Sequence, residues 1–419
     1  MEKLTTEKLW LNFTNFTTFD KLPFIVASGK GTYVYDTSKK KYLDIISGIW
    51  NAGLGYSRQD IIDEMNYQMN KLPLTSLFGR AYPLLIEYSE KLLKLAPEFS
   101  KVFYGTGGSD SVETALKVAR LFYYEQQKYK KVKIGHFAMS YHGVSLGAMN
   151  VMGEEPNREG CVLDIENYFT LPLPDDNDGD NVFRELDKLN SEEISAIIIE
   201  PIIGSGGIIE FPKEFLTLLR EYTKNNDILL IFDEVVTGFG RTGSMFAYQG
   251  LEIVPDILVL AKNITAGYAP LGATLFSDRI VSIFKNKKLL HGYTNAGSVV
   301  GVAAANKVLD IFESENILEN VNKQSALFWE KLNELQKKYS SLIHSIKGRG
   351  LMLGIQLVEQ DRLSIFFFYK LLEKKNMLSR SAYNNTIVLM PPLVSEENFI
   401  LEIINRLDEC FYEYSKKYN

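Results

Sequence analysis

Cysteine and histidine are scarce in this chain: two Cys and four His among 419 residues. Cys161 and Cys410 form no CxxC pair, and His136, His142, His291 and His344 show no HExxH spacing. Neither a disulfide scaffold nor a zinc site has enough ligands, so no metal site is expected and a reducing cytoplasm suits the chain. Long apolar runs are missing too. The N-terminus carries no apolar signal core, and runs such as Ile228–Phe232 fall far short of the roughly 20 residues that cross a bilayer. No membrane association is expected. Nor is there a basic surplus: 46 Lys+Arg stand against 52 Asp+Glu, a net charge of -6. Phosphate backbones would find too little to neutralise them, which argues against nucleic acid as a partner. Repeats, low-complexity tracts and obvious linkers are absent. What remains is ordinary globular composition, 46% hydrophobic and 23% charged, in a chain long enough for one large domain and a smaller one.

Short β-branched runs alternate with amphipathic stretches from residue 55 to about 300. Strands are expected at 132–138, 194–200, 228–233, 257–261 and 273–277, and helices near 59–71, 84–95, 110–129, 213–225 and 298–314. Such alternation specifies an α/β fold with a mostly parallel sheet, whose ligand site lies beyond the carboxyl ends of the strands. Beyond residue 315 the pattern changes to a long polar helix (317–339), strands at Leu351–Leu357 and 386–390, and helices at 364–375 and 396–416. That describes a small α+β domain. The expected division is an N-terminal segment 1–55 packing with the small domain, a large domain 56–304, and the C-terminal small domain 305–419.

Three stretches carry chemistry. Tyr104-Gly105-Thr106-Gly107-Gly108-Ser109-Asp110 is a Gly/Ser turn entering a helix, where free N–H groups and the dipole favour an anion. It is equally a plain helix cap, with Asp110 and Glu113 in the acid positions. It is not a Walker loop, because the Gly-Lys-Ser/Thr is missing. Ile231-Phe232-Asp233-Glu234-Val235 ends an apolar strand in two acids, which need partners if buried. Ile257-Leu258-Val259-Leu260-Ala261-Lys262 closes another such strand with a single lysine. A lysine there either snorkels to water or, held in a low dielectric, loses its proton and becomes a nucleophilic amine. The interval between Asp233 and Lys262 suits one strand–loop–strand return that sets them side by side. An anion cradle, a carboxylate and an amine at strand ends are what pyridoxal phosphate (PLP) requires.

Taken with Ser140-Tyr141-His142-Gly143, Glu200-Pro201, His291-Gly292-Tyr293-Thr294 and Pro391-Pro392-Leu393, these stretches give a specific resemblance. From about residue 20 to the C-terminus the chain resembles the class III (ω-type) aminotransferases of the fold-type I PLP superfamily, nearest in motifs to the amine:pyruvate branch. The resemblance implies that Lys262 is the Schiff-base lysine and that Asp233 pairs with the cofactor's ring nitrogen. It places Gly108 and Ser109 on the phosphate, Tyr141 and Val235 on the two ring faces, and His142 and Glu200 among the cofactor-binding residues. Thr294 would reach the phosphate of a neighbouring subunit, making a homodimer with shared sites. Gly107 stands where relatives usually carry Ser or Thr, and Asp110 and Ser111 replace the usual Glu and Ala.

For substrates, Trp50 in Ser47–Tyr56 and Phe78 in Leu77-Phe78-Gly79-Arg80 resemble pocket segments of the amine:pyruvate branch, although aromatics also fill cores. Arg380 resembles an arginine of that branch that binds the acceptor's carboxylate; its spacing to Pro391 is one residue longer here. Ser205 occupies the place of the gate glutamate of ornithine- and GABA-type relatives, and Val388 that of their arginine, which argues against the ornithine type. The expected activity moves an amino group from an amine or an ω/β-amino acid to an oxo acid or other carbonyl acceptor. A PLP-dependent aminomutase, or a non-catalytic PLP-binding scaffold, are the alternatives.

Overall fold

The computed structural model describes residues 6–21, 23–153, 155–161, 166–361 and 363–418. Its centre is a seven-stranded sheet: β1 (Phe99–Gly105), β2 (Lys133–Phe137), β3 (Tyr168–Leu171), β4 (Ile194–Ile199), β5 (Leu229–Asp233), β6 (Ile257–Leu260) and β7 (Gly272–Ser277). The spatial order is β1-β7-β6-β5-β4-β2-β3. Six strands run one way, and only β7, antiparallel to both β6 and β1, runs against them. The five inner strands are those legible in the sequence, with ends shifted by at most a residue or two. The two that the sequence did not signal, β1 and β3, are the sheet's edges.

Burial follows the pleat. Ala196, Ile198, Leu229, Ile231, Ile257 and Val259 face one side with Val112, Ala115, Leu116 and Ala119 of helix α1 (Gly108–Tyr124). Ile197, Ile199, Leu230, Phe232, Leu258 and Leu260 face the other, against the larger core. Both faces are covered, so these strands are apolar throughout rather than alternating. Each such side chain contributes about 1.5–3 kcal/mol on burial, which is why the sheet holds its loops at fixed positions.

Beyond the sheet, an antiparallel set runs Ile343–Arg349, Met352–Leu357, Thr386–Leu389 and Ser381–Ala382. The helices Ile317–Lys338, Ser364–Lys374 and Glu397–Tyr418 pack beside it. Near the N-terminus, Val26–Lys30, Tyr33–Asp36 and Lys41–Asp44 form a meander. Met377–Leu378 extends it in parallel, Met377 opposite Leu43 and Leu378 opposite Asp44. An N-terminal meander and a strand from the C-terminal part of the chain therefore share one sheet. Among the described residues no helix is long and apolar enough to cross a membrane.

Candidate active site

β5 and β6 are parallel neighbours, with Asp233 opposite Val259, and Lys262 lies just past the end of β6. The expected side-by-side placement of Asp233 and Lys262 holds, but the connection differs. Parallel partners cannot be joined by a simple return, and the intervening chain is a crossover carrying the short helix Ala247–Leu251.

Lys262 sits in the left-handed region, φ 49°, as do Trp50 (59°), Ser47 (49°) and Met139 (65°). Non-glycine residues there cost on the order of 1 kcal/mol or more each, and such strain gathers at functional sites. Among the described residues no atom accepts a hydrogen bond from the Lys262 ammonium; the Trp50 ring lies 5.1 Å from it. Desolvation pushes its pKa down to about 8, against the pull of Asp233 and Glu200, and Arg380 pushes the same way as burial. Desolvation of the ammonium, with no acceptor among the described residues, speaks against the snorkelling alternative.

Asp233 is 4% exposed. Its Oδ2 lies 2.8 Å from His142 Nδ1, and its Oδ1 accepts the Val235 amide at 3.1 Å. His142 is buried, and its Nε2 has no partner among the described residues. Glu200, just past β4, accepts the amides of Tyr141 (2.9 Å) and Gly204 (3.2 Å), which fixes the turn that presents Tyr141. The neighbouring acid Glu234 does other work. Its carboxylate accepts the amides of Ala247 (2.6 Å) and Tyr248 (2.8 Å), and burial pushes its pKa up to about 7.

At the start of α1, Asp110 takes the amides of Thr106 (2.5 Å) and Gly107 (2.8 Å), so the capping reading is correct for Asp110. Glu113 instead caps Leu146–Asn150, accepting from Gly147 at 2.8 Å and Ala148 at 3.0 Å. The amides of Gly108 and Ser109, in the first turn, have no intrahelical acceptor and remain available to an anion. Any side chain at Gly108 would press on Val235, 3.2 Å from its Cγ1, so the helix entrance and the apolar Val235 side chain adjoin. Ser109 Oγ accepts the Val144 amide at 3.2 Å.

These features fit PLP: helix-end amides for a phosphate, a buried carboxylate for a ring nitrogen, and an unpaired amine for an aldehyde. Among the described residues His142 Nε2, on the imidazole that faces the Asp233 carboxylate, is buried and unpartnered, a polar atom that a bound group can satisfy.

The pocket residues separate into two groups. Trp50 is 5% exposed, and its ring packs against Gly204 as well as beside Lys262. Arg380 has no acceptor among the described residues; its guanidinium lies 5.8 Å from the Phe13 ring. Phe78 is 63% exposed and packs on Gly292, away from the core that the alternative reading gave it. Thr294 is exposed as well. Its turn is anchored by Tyr293 Oη, donating to Asp110 O at 2.9 Å, and by His291 Nε2 and Thr114 Oγ1, 2.9 Å apart. Phe78 and Thr294 thus lie on one outward-facing surface.

Sequence reasoning gave no role to Arg241, the largest fully buried side chain. Its Nη1 donates to Leu351 O (2.9 Å) and Pro391 O (2.6 Å), tying the loop after Asp233 to the C-terminal segments. Desolvation lowers its pKa to about 9, with Asp44 opposing. The only signal was its place inside the glycine-rich stretch that follows Asp233.

Comparison with known proteins agrees with this geometry. The family profile described as Aminotransferase class-III matches residues 17–411. An acetylornithine aminotransferase of Aquifex aeolicus is 35% identical, with 93% of this chain and 98% of the relative covered. An adenosylmethionine-8-amino-7-oxononanoate aminotransferase of Methanocaldococcus jannaschii is 32% identical over 99% of this chain and 98% of its own. Among solved structures, a transaminase from a marine Virgibacillus superposes with a TM-score of 0.95 at 25% identity, covering 99% of this chain and 98% of that one. An amine transaminase from an uncultivated Pseudomonas species, in its PLP-bound form, gives 0.91 at 32% identity over 97% and 99%. The fold is that of the fold-type I transaminases, and PLP is the cofactor. The chain belongs to the class III aminotransferase family.

Proposed function

We propose that the enzyme takes an amino group from a free amine or an ω/β-amino acid and passes it to an oxo acid such as pyruvate, with active sites shared across a homodimer. One observation carries the substrate reading: the Arg380 guanidinium bears electrostatically on Lys262 yet has no carboxylate or carbonyl partner among the described residues. A planar fork with nothing to hold suits a substrate carboxylate bidentately. Ser205, where gated relatives carry glutamate, leaves no acid at that position to pair with it. Trp50 beside Lys262 supplies an apolar wall for the donor.

When bound, PLP supplies an electron sink for the donor's amine-bearing carbon. Asp233 would hold the ring nitrogen, Gly108 and Ser109 the phosphate, and Tyr141 and Val235 the ring faces; His142 and Glu200 keep Asp233 and Tyr141 in place. Lys262, an amine neutral above pH 8 or so, takes the proton from the donor carbon and returns it to the product side. The division into residues 56–304 and an outer unit of 1–55 with 305–419 belongs to this reading, supported by the pairing of Met377–Leu378 with Lys41–Asp44. A reducing cytoplasm suits the free thiols of Cys161 and Cys410.

Arg380→Ala tests the substrate reading. The half-saturating concentration of pyruvate is expected to rise by about thirtyfold to several thousandfold, since a charged contact of this kind is worth about 2–5 kcal/mol when desolvated. Half-reactions with donors lacking a carboxylate should change little. Equal losses for both partners would make Arg380 structural.

Thr294 and Phe78, exposed on one surface, are proposed to complete the neighbouring subunit's site. Mixing inactive Lys262 and Thr294 variants should restore activity, because some hybrid dimers carry one site free of both lesions. No recovery after verified subunit exchange would count against the shared site.

A further inference from the structure

Lys262 and Trp50 meet from segments more than two hundred positions apart, both in strained backbone. What holds them in register lies one residue past the lysine. Asn263 is 2% exposed, and its Oδ1 accepts the Gly53 amide at 3.1 Å. The two are in tight contact: a Cβ at Gly53 would stand 2.6 Å from that oxygen. Gly53 O in turn accepts the Leu393 amide at 2.7 Å. At the other end of the segment, Ser47 Oγ donates to Met390 O at 2.6 Å and lies 3.4 Å from Arg241 Nη2. Residues 47–53 are therefore a strap pinned at both ends, with Trp50 in the middle. One pin hangs from the turn Lys262–Thr265 itself.

The amide is an unusual choice for that pin. Its Nδ2 is buried without an acceptor among the described residues, and an unpaired buried donor costs about 1–3 kcal/mol. Stability alone favours an apolar residue there. The Oδ1 contact does something an apolar residue cannot, by fixing the strap's height over Lys262 through a directional bond.

We propose that Asn263 is a positioning residue: through Gly53 it sets the distance of the Trp50 wall from Lys262, and so the size of amine donor that the site admits. This rests on the assignment of Lys262 as the reacting amine. A small donor does not touch the wall and is indifferent to its placement, whereas a bulky apolar donor packs on it.

The test follows the holoenzyme's cofactor absorbance in the donor half-reaction, using a short unbranched alkylamine and a benzylic amine. In Asn263→Ala the half-saturating concentration of the benzylic amine is expected to rise about tenfold, the equivalent of one hydrogen bond. That of the alkylamine should stay within about twofold, the typical effect of removing a contact the ligand does not feel. Gly53→Ala, which drives the Asn263 oxygen away, should give the same split. The double variant should be no worse than Gly53→Ala alone, because both remove one contact. Equal losses for both donors, no loss for either, or additive losses in the double variant would overturn the proposal. Were Asn263→Ala too unstable to assay, Gly53→Ala would decide between the same outcomes. Turnover surviving in Lys262→Ala would instead sink the lysine assignment, which separates the two failures.

Discussion

Lys262→Ala is expected to lower transamination by at least about a thousandfold, since one group serves as both nucleophile and proton carrier. The protein should nevertheless fold. In the native chain the amine is desolvated, with no hydrogen-bond acceptor among the described residues, and its pKa falls from 10.5 to about 8. The folded state binds this proton less tightly than the unfolded chain does. The cost is present in full below pH 8 or so and is relieved as pH rises from there toward 10.5. Cofactor-free Lys262→Ala should therefore be no less stable at neutral pH than the cofactor-free parent, apart from a small cavity. Thermal unfolding of the two apoproteins measures this. The same depression predicts that the apoprotein condenses with an added aldehyde at a rate climbing through about pH 8. A midpoint near that of an ordinary lysine would mean that the amine is solvated, and full activity in the alanine variant would falsify its catalytic role.

Asp233→Asn is the second large effect. The substitution keeps the size of the side chain, and an amide oxygen can still face His142 Nδ1, 2.8 Å away in the native chain. What it removes is the negative charge. A charge-assisted hydrogen bond contributes about 1.5–3 kcal/mol, so PLP affinity is expected to fall by roughly ten- to over a hundredfold. Turnover should fall further, because the electron sink depends on a protonated ring nitrogen. Equilibrium dialysis of the cofactor and steady-state rates at saturating PLP separate the two losses. Unchanged affinity together with unchanged turnover would remove Asp233 from the site. Alanine at His142 should act in the same direction but more weakly, since it leaves the carboxylate charged.

The candidate chemistry was legible in the sequence because each of its parts is local. Asp233 and Lys262 end apolar strands, and Gly108 and Ser109 open a helix, so run length and punctuation mark them as candidates without any tertiary contact, and the family resemblance assigned their roles. The inner strands were legible for a related reason: with both faces covered, β4 is buried at all six positions and reads as an unbroken apolar run. The edges were not. β1, Phe-Ser-Lys-Val-Phe-Tyr-Gly, mixes buried and exposed positions, and β3 has only four residues, one of them buried. An edge strand is covered less completely than an inner one, and its pattern fades accordingly. Nor could local pattern reveal the Asn263–Gly53 bond, the Arg241 contacts to Leu351 and Pro391, or the outward placement of Phe78 and Thr294. Periodicity reports which way a side chain points from its own element, and it carries nothing about what arrives from two hundred residues away. The sequence by itself marked which groups are the candidates to react; only the packing of distant segments decided how the wall around them is held.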